Sequence, residues 1–168
     1  MFKSIFLPLI GVVAFITFVG LLSQGKLKFL TSTIESPPQV TQANTKPIKI
    51  GDMEINVEVA KTNDEKSKGL SNRTSLDEKS GMIFVFDQNS KPSFWMKDTL
   101  IALDLIWIND NKIIAINKNV KPEPNVSSRE LKKYPAPSEI DYVLEVNSGF
   151  SDKFKVIPGQ MLSGLEQL

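Results

Sequence analysis

The residues able to do chemistry crowd into one stretch, Phe94-Trp95-Met96-Lys97-Asp98-Thr99, which runs on through Leu103-Asp104-Leu105-Ile106-Trp107-Ile108. The stretch is aromatic at both ends and mostly apolar, yet it holds a lysine, a hydroxyl and two carboxylates. A segment this apolar is expected to be buried, and a buried carboxylate is costly unless a donor or cation satisfies it. It is therefore either a structural polar network or a binding site. On a strand, one parity groups Trp95, Lys97 and Thr99, and the other groups Phe94, Met96 and Asp98. An aromatic ring beside a lysine, a hydroxyl and an acid is the mixture that holds polar ligands such as sugars. The same mixture arises where a strand ends with its aromatic in the core and its polar residues in water.

If the stretch is regular from Ala102, Asp104 shares a face with Ile106 and Ile108, while Leu103, Leu105 and Trp107 take the other. Both faces are apolar, so Asp104 needs a partner: backbone N–H groups or a cation if it is structural, a ligand if it is functional. Arg73 and Glu145 are secondary candidates. Arg73 precedes a loop where its planar fork could clamp a carboxylate, and Glu145 is available to Lys97 or Arg73. Solvent exposure is an equal alternative for both. The candidate ligand-binding set is thus Arg73, Trp95, Lys97, Asp98, Thr99, Asp104 and Glu145.

The rest of the composition narrows the chemistry. The 168 residues include no Cys and no His. Thiol nucleophiles, thiolate metal sites, disulfides and imidazole bases are therefore absent, and neither a metal nor a cofactor is expected. The net charge is +1, and it turns slightly negative once Lys3, Lys26 and Lys28 are set aside. That is not the basic footprint of a nucleic-acid binder. Ser4 to Gly25 carries no charge and as a helix would be about 33 Å long, enough for a bilayer core of about 30 Å. An N-terminal membrane anchor or signal segment over residues 1–30 is expected. The following domain would then stand outside the cytoplasm, membrane-anchored, or secreted or periplasmic if the segment is cleaved. Residues 31–47, rich in Ser, Thr, Pro, Gln and Asn, read as a flexible linker.

A folded domain is expected over 48–168. Ile48 to Val59 alternates around Gly51-Asp52 and reads as a hairpin. Thr62 and Glu65 match a capping box for a short helix closed by Gly69, and Ser75 to Glu78 gives a second, weaker helix signal ending at Gly81. Met82 to Phe86 is a short apolar strand followed by a turn or loop at Asp87–Ser90. Phe94 to Ile108 supplies one or two strands. Asn109-Asp110-Asn111 is a hairpin connection whose return strand is Lys112 to Val120. Residues 121–138 form a proline-rich loop with one helical turn near Arg129 to Lys133. Ile140 to Val146 is a strand, Ser148 to Phe154 a short helix or turn, and the domain closes in a strand broken by Pro158-Gly159. This is an α+β, β-rich pattern: a small antiparallel barrel or sandwich with one or two short helices, preceded by the N-terminal apolar helix.

Several blocks form a recognisable set: Gly69-Leu70 with Arg73, Gly81-Met82 with Phe84 and Phe86, the Phe94 to Thr99 run with Leu103-Asp104, and Tyr142 to Val146 with Gly149. In these the chain resembles the bacterial and archaeal family catalogued as domain of unknown function 192, over roughly Ile48 to Leu162. The resemblance implies a compact β-rich fold with short helices, often exported behind a signal or anchor, and no established activity. Ser71 departs from the family pattern, in which Met usually follows the glycine-leucine pair.

The leading functional expectation is a membrane-tethered extracytoplasmic domain binding a small polar ligand or cell-envelope glycan. One alternative is a hydrolase using Asp98 and Asp104 as a carboxylate pair, with Lys97 tuning their protonation. Another is a structural or protein-interaction module of the envelope. The lack of His and Cys weighs against an enzyme, and no glycine-rich phosphate loop or nucleophile elbow appears.

Overall fold

The computed structural model describes residues 45–168. The expected N-terminal apolar helix and nearly all of the linker lie outside the described residues. In chain order the elements are β1 (Thr45–Ile50), β2 (Met53–Ala60), α1 (Asn63–Lys68), β3 (Ser80–Ser90), β4 (Ser93–Phe94), β5 (Leu103–Asn109), β6 (Lys112–Val120), β7 (Tyr134–Pro135), β8 (Ile140–Asn147), α2 (Phe150–Lys153) and β9 (Leu162–Ser163), with a 3₁₀ turn at Leu165–Gln167.

Seven strands form one curled sheet in the order β6-β5-β8-β3-β2-β1-β9, and β4 pairs with β7 in a small separate ribbon. The β-rich α+β expectation therefore holds, as a half-barrel. Its neighbours are antiparallel except β2 and β3, which run parallel. A parallel pair requires a crossover connection, and residues 61–79, including α1, supply it. The curled sheet is nearly closed at one end. Lys112 bridges Met161, the Ile113 N–H donates to Gln160 O at 2.9 Å, and the Leu162 N–H donates to Asn111 O at 2.7 Å. Because Leu162 also pairs with Ile50 of β1, this segment straps one edge of the sheet to the other.

Each face of the sheet has its own core. Ile48, Ile55, Ile83, Ile106, Ile108, Leu144 and Val146 fill the concave side under Phe150 of α2. Phe84, Leu103, Leu105, Trp107 and Val143 line the convex side together with Leu70 and Met96 from the connecting segments. This two-sided burial is why β5 reads as an almost continuous apolar run. Leu103, Leu105 and Trp107 face one core and Ile106 and Ile108 the other, as the alternation from Ala102 predicts.

Local signals fix the connections. Asp110 and Asn111 take φ of 49° and 59°, the left-handed pair that a two-residue hairpin turn demands. The capping box forms: Thr62 accepts the Glu65 N–H at 3.2 Å, and the Glu65 carboxylate accepts the Thr62 N–H at 2.9 Å. Gly69, at φ 47°, ends the helix. Some local readings differ from the structure. Asp87–Ser90 continues β3, with the register against β8 shifting between Val85 and Ser90. The signal at Ser75 yields a turn, Ser80 N–H to Asp77 O at 3.0 Å, because the chain must enter β3 at Ser80. The helical turn expected near Arg129 forms as a single turn, the Glu130 and Leu131 N–H groups donating to Ser127 O at 2.9 Å and 3.2 Å, and Tyr134–Pro135 leaves it extended to pair with β4. The Phe94 stretch supplies two strands, as expected, at Ser93–Phe94 and again from Leu103, with a turn between them.

Candidate functional site

On the convex face a row of paired residues crosses the sheet: Glu58 on β2, Met82 on β3, Glu145 on β8 and Leu105 on β5. Over this row the end of α1, the Gly69-Leu70-Ser71 bend, the start of the β4 ribbon and the turn after it enclose a cleft of about 240 Å³. Two bonds tie these walls together: the Ser71 hydroxyl donates to Lys97 O at 3.1 Å, and the Asn72 N–H to Asp98 O at 2.8 Å. Ser71, the departure from the family pattern, is thus a clasp between the walls.

The motif turns instead of running straight. The Thr99 N–H donates to Met96 O at 3.1 Å, and Asp98 takes φ 54°, the left-handed third position of a type II turn. Trp95, Lys97 and Thr99 still all reach the cleft, whereas Met96 is buried in the core and Asp98 lies exposed outside it. The grouping by parity survives, although a turn produces it. Trp95 is 43% exposed, with the Lys133 ammonium 3.5 Å from its ring centroid, a cation–π contact. The ribbon behind it is fixed by edge-to-face packing of Phe94 on Phe84 and on Trp107.

Glu145 also lines the cleft, deep on the sheet, with only 5% of its surface exposed. Burial pushes its carboxyl up to about 8, with no hydrogen bond or neighbouring charge countering the shift. At neutral pH it therefore carries its proton and presents a neutral donor and acceptor to the cleft. The remaining lining is mixed: Leu70, Phe84, Phe86 and Phe94 are apolar, Asn63, Ser67, Ser71 and Ser93 are polar, and Lys66, Lys68 and Lys97 add three cations. Lys66 and Lys68 gave no signal in the sequence, where they read as ordinary solvated helix residues. Phe84 and Phe86 read as strand residues and as part of the family pattern, without a role in a site.

The other candidates stand elsewhere. Arg73 makes a two-pronged ion pair with Glu58, one prong at 2.6 Å, so its fork is already filled by the protein and does not reach Glu145. Asp104 is fully buried, and its oxygens accept backbone N–H groups from Asn119 at 2.9 Å, Gly149 at 3.3 Å and Ser151 at 3.0 Å. It caps α2 from a neighbouring strand, where no side chain of the helix's own cap does so. Neither Asp98 nor Asp104 lines the cleft, so the carboxylate pair a hydrolase would need is not assembled there. Among the described residues no cluster of three acids stands close enough to hold a metal ion.

The DUF192 family model, described as Uncharacterized ACR, matches residues 46–164. Two solved structures are similar. One, a protein of unknown function from Novosphingobium aromaticivorans DSM 12444, is 28% identical with a TM-score of 0.66, over 76% of this chain and 91% of that one. The other, described as a candidate transcription regulator from Sinorhizobium meliloti 1021, is 26% identical with a TM-score of 0.64, over 71% of this chain and 92% of that one. No curated protein matches the chain.

Proposed function

The chain belongs to the DUF192 family of uncharacterised proteins, and from that premise we propose that its domain binds a small polar ligand in the cleft over Glu145. The observation that carries this reading is Glu145 itself. A carboxyl 5% exposed and raised to about 8 by burial alone is an unfavourable arrangement for the fold, and such arrangements concentrate at functional sites. Trp95, Lys97 and Thr99 gather around the same opening and add a ring and further polar groups. The volume lies below the range of about 300–1,000 Å³ usual for drug-sized ligands, which favours a small molecule or a single sugar unit over an extended glycan. Ser4 to Gly25 tethers the domain to a membrane, with the cleft outside the cytoplasm.

The test is a ligand screen on the full chain in lipid nanodiscs, read by Trp fluorescence and by chemical-shift changes. Binding that is lost in Glu145→Leu while the fold is retained supports the reading. A ligand that binds equally well to both proteins sinks it.

A further inference from the structure

We propose that the ligand is a small amphipathic anion, with a carboxylate at one end, a flat apolar middle and a neutral hydrogen-bonding group at the other end. This rests on the cleft being a ligand site and says what that site selects. The cleft is layered. At its floor Glu145 is a buried carboxyl with no protein partner for its proton, and so it suits a neutral hydroxyl or carbonyl. An anion there would meet a like charge as soon as the acid ionised, and a cation would find only a protonated acid. Beside it the lining mixes the apolar side chains of Leu70, Phe84, Phe86 and Phe94 with polar groups such as Ser71 and Ser93, and the aromatic part suits a ring lying between edges and faces.

At the mouth stand three ammonium groups, those of Lys66, Lys68 and Lys97. The ion pairs found among the described residues occupy Arg73, Lys91, Lys118 and Lys153 and leave these three unpaired. The Lys66 ammonium sits 4.5 Å from the centroid of the Phe86 ring, so one cation is already held against an aromatic side chain of the lining. No carboxylate other than Glu145 lines the cleft, so the mouth is positive in a chain that is otherwise close to neutral. A neutral sugar would satisfy the floor and leave the lysines idle. A buried neutral acid, aromatic side chains and three lysines on one cleft select an anion with its charge toward the lysines.

Isothermal titration on the full chain in nanodiscs tests this with three probes: 3-(4-hydroxyphenyl)propionate, its primary amide, and N-acetylglucosamine. The carboxylate is expected to bind at least tenfold more tightly than the amide. The Lys66→Gln, Lys97→Gln double variant, altered only at the rim, should remove that preference and leave thermal unfolding near wild type. Equal binding of carboxylate and amide, or a preference that survives in the double variant, overturns the inference. Binding of N-acetylglucosamine without the carboxylate overturns it too, and leaves the small-polar-ligand reading standing. Silence from all three probes overturns both.

Discussion

A β-carbon placed on Gly81 would lie 2.6 Å from the backbone oxygen of Glu145. Strands β3 and β8 therefore approach at a distance only glycine permits, at the residue whose side chain forms the floor of the cleft. Alanine in a strand ordinarily gains about 0.5–1 kcal/mol over glycine, but here the obstruction is backbone and cannot swing away. Gly81→Ala is expected to cost about 1–3 kcal/mol net and to shift the Glu145 amide resonance. Urea unfolding and a backbone NMR spectrum check both; a stabilised variant would contradict the close approach.

The strand boundaries predict where the chain can be cut. A chain starting at Thr45 keeps all of β1 and is expected to unfold in one cooperative transition. A chain starting at Gly51 loses Ile48 and Ile50 from the concave core and with them the strand that carries β9, and it should not fold. Thermal melts followed by circular dichroism distinguish the two.

Glu145 makes stability depend on pH. Its carboxyl titrates near 4.5 in the open chain and at about 8 in the fold, so between those values the folded state holds the extra proton. Stability is then full below about pH 4.5 and falls as pH rises through about 8, by up to roughly 5 kcal/mol at about 1.4 kcal/mol per unit. Glu145→Gln should flatten this slope and be the more stable protein at pH 7, by about 1–3 kcal/mol. Parallel pH profiles for the two proteins would refute the assignment.

Asp104 holds three backbone N–H groups, those of Asn119, Gly149 and Ser151. Asparagine keeps the shape but loses the charge and turns an amide toward donors, so Asp104→Asn is expected to cost about 1.5–3 kcal/mol. Ligand affinity should stay unchanged, because Asp104 does not line the cleft. Denaturation and titration on one preparation separate the two effects; weakened binding at intact stability would return Asp104 to the site.

Arg73 and Glu58 form an ion pair, and neither residue lines the cleft. Their side chains are 32% and 19% exposed, so water screens part of the attraction. A double-mutant cycle with Arg73→Met and Glu58→Gln is expected to give a coupling of about 1 kcal/mol. A coupling near zero, with ligand affinity lost in Arg73→Met, would show that the pair opens for the ligand.

The elements with strong local rules were legible in the sequence. The Thr62 and Glu65 cap, the Asp110-Asn111 turn and the β6 boundaries are written in adjacent residues, and the burial of Asp104 followed from the alternation around it. What the sequence left open depends on contacts between distant segments. Whether Asp104 meets a ligand or the amide of Ser151 is decided by how α2 lands on the concave face. Whether Arg73 clamps a ligand or Glu58 is decided by the parallel crossover, which no pattern in residues 61–79 announces. Lys66 joins the cleft only because that same crossover lays α1 beside the Phe94 ribbon.

The strap that joins β6 to β1 has a consequence for how copies of this chain behave toward one another. An open sheet offers bare N–H and C=O groups along its outer strands as a template for strand addition by a neighbouring molecule. Here residues 159–163 occupy those groups at the start of β6 and along the end of β1. Farther along β6, Lys118 puts a cation on the remaining edge and Asn119, at φ 54°, bends it out of register. With β9 only two residues long, the strap and the bend together shorten the open edge that the described residues offer to a neighbouring copy.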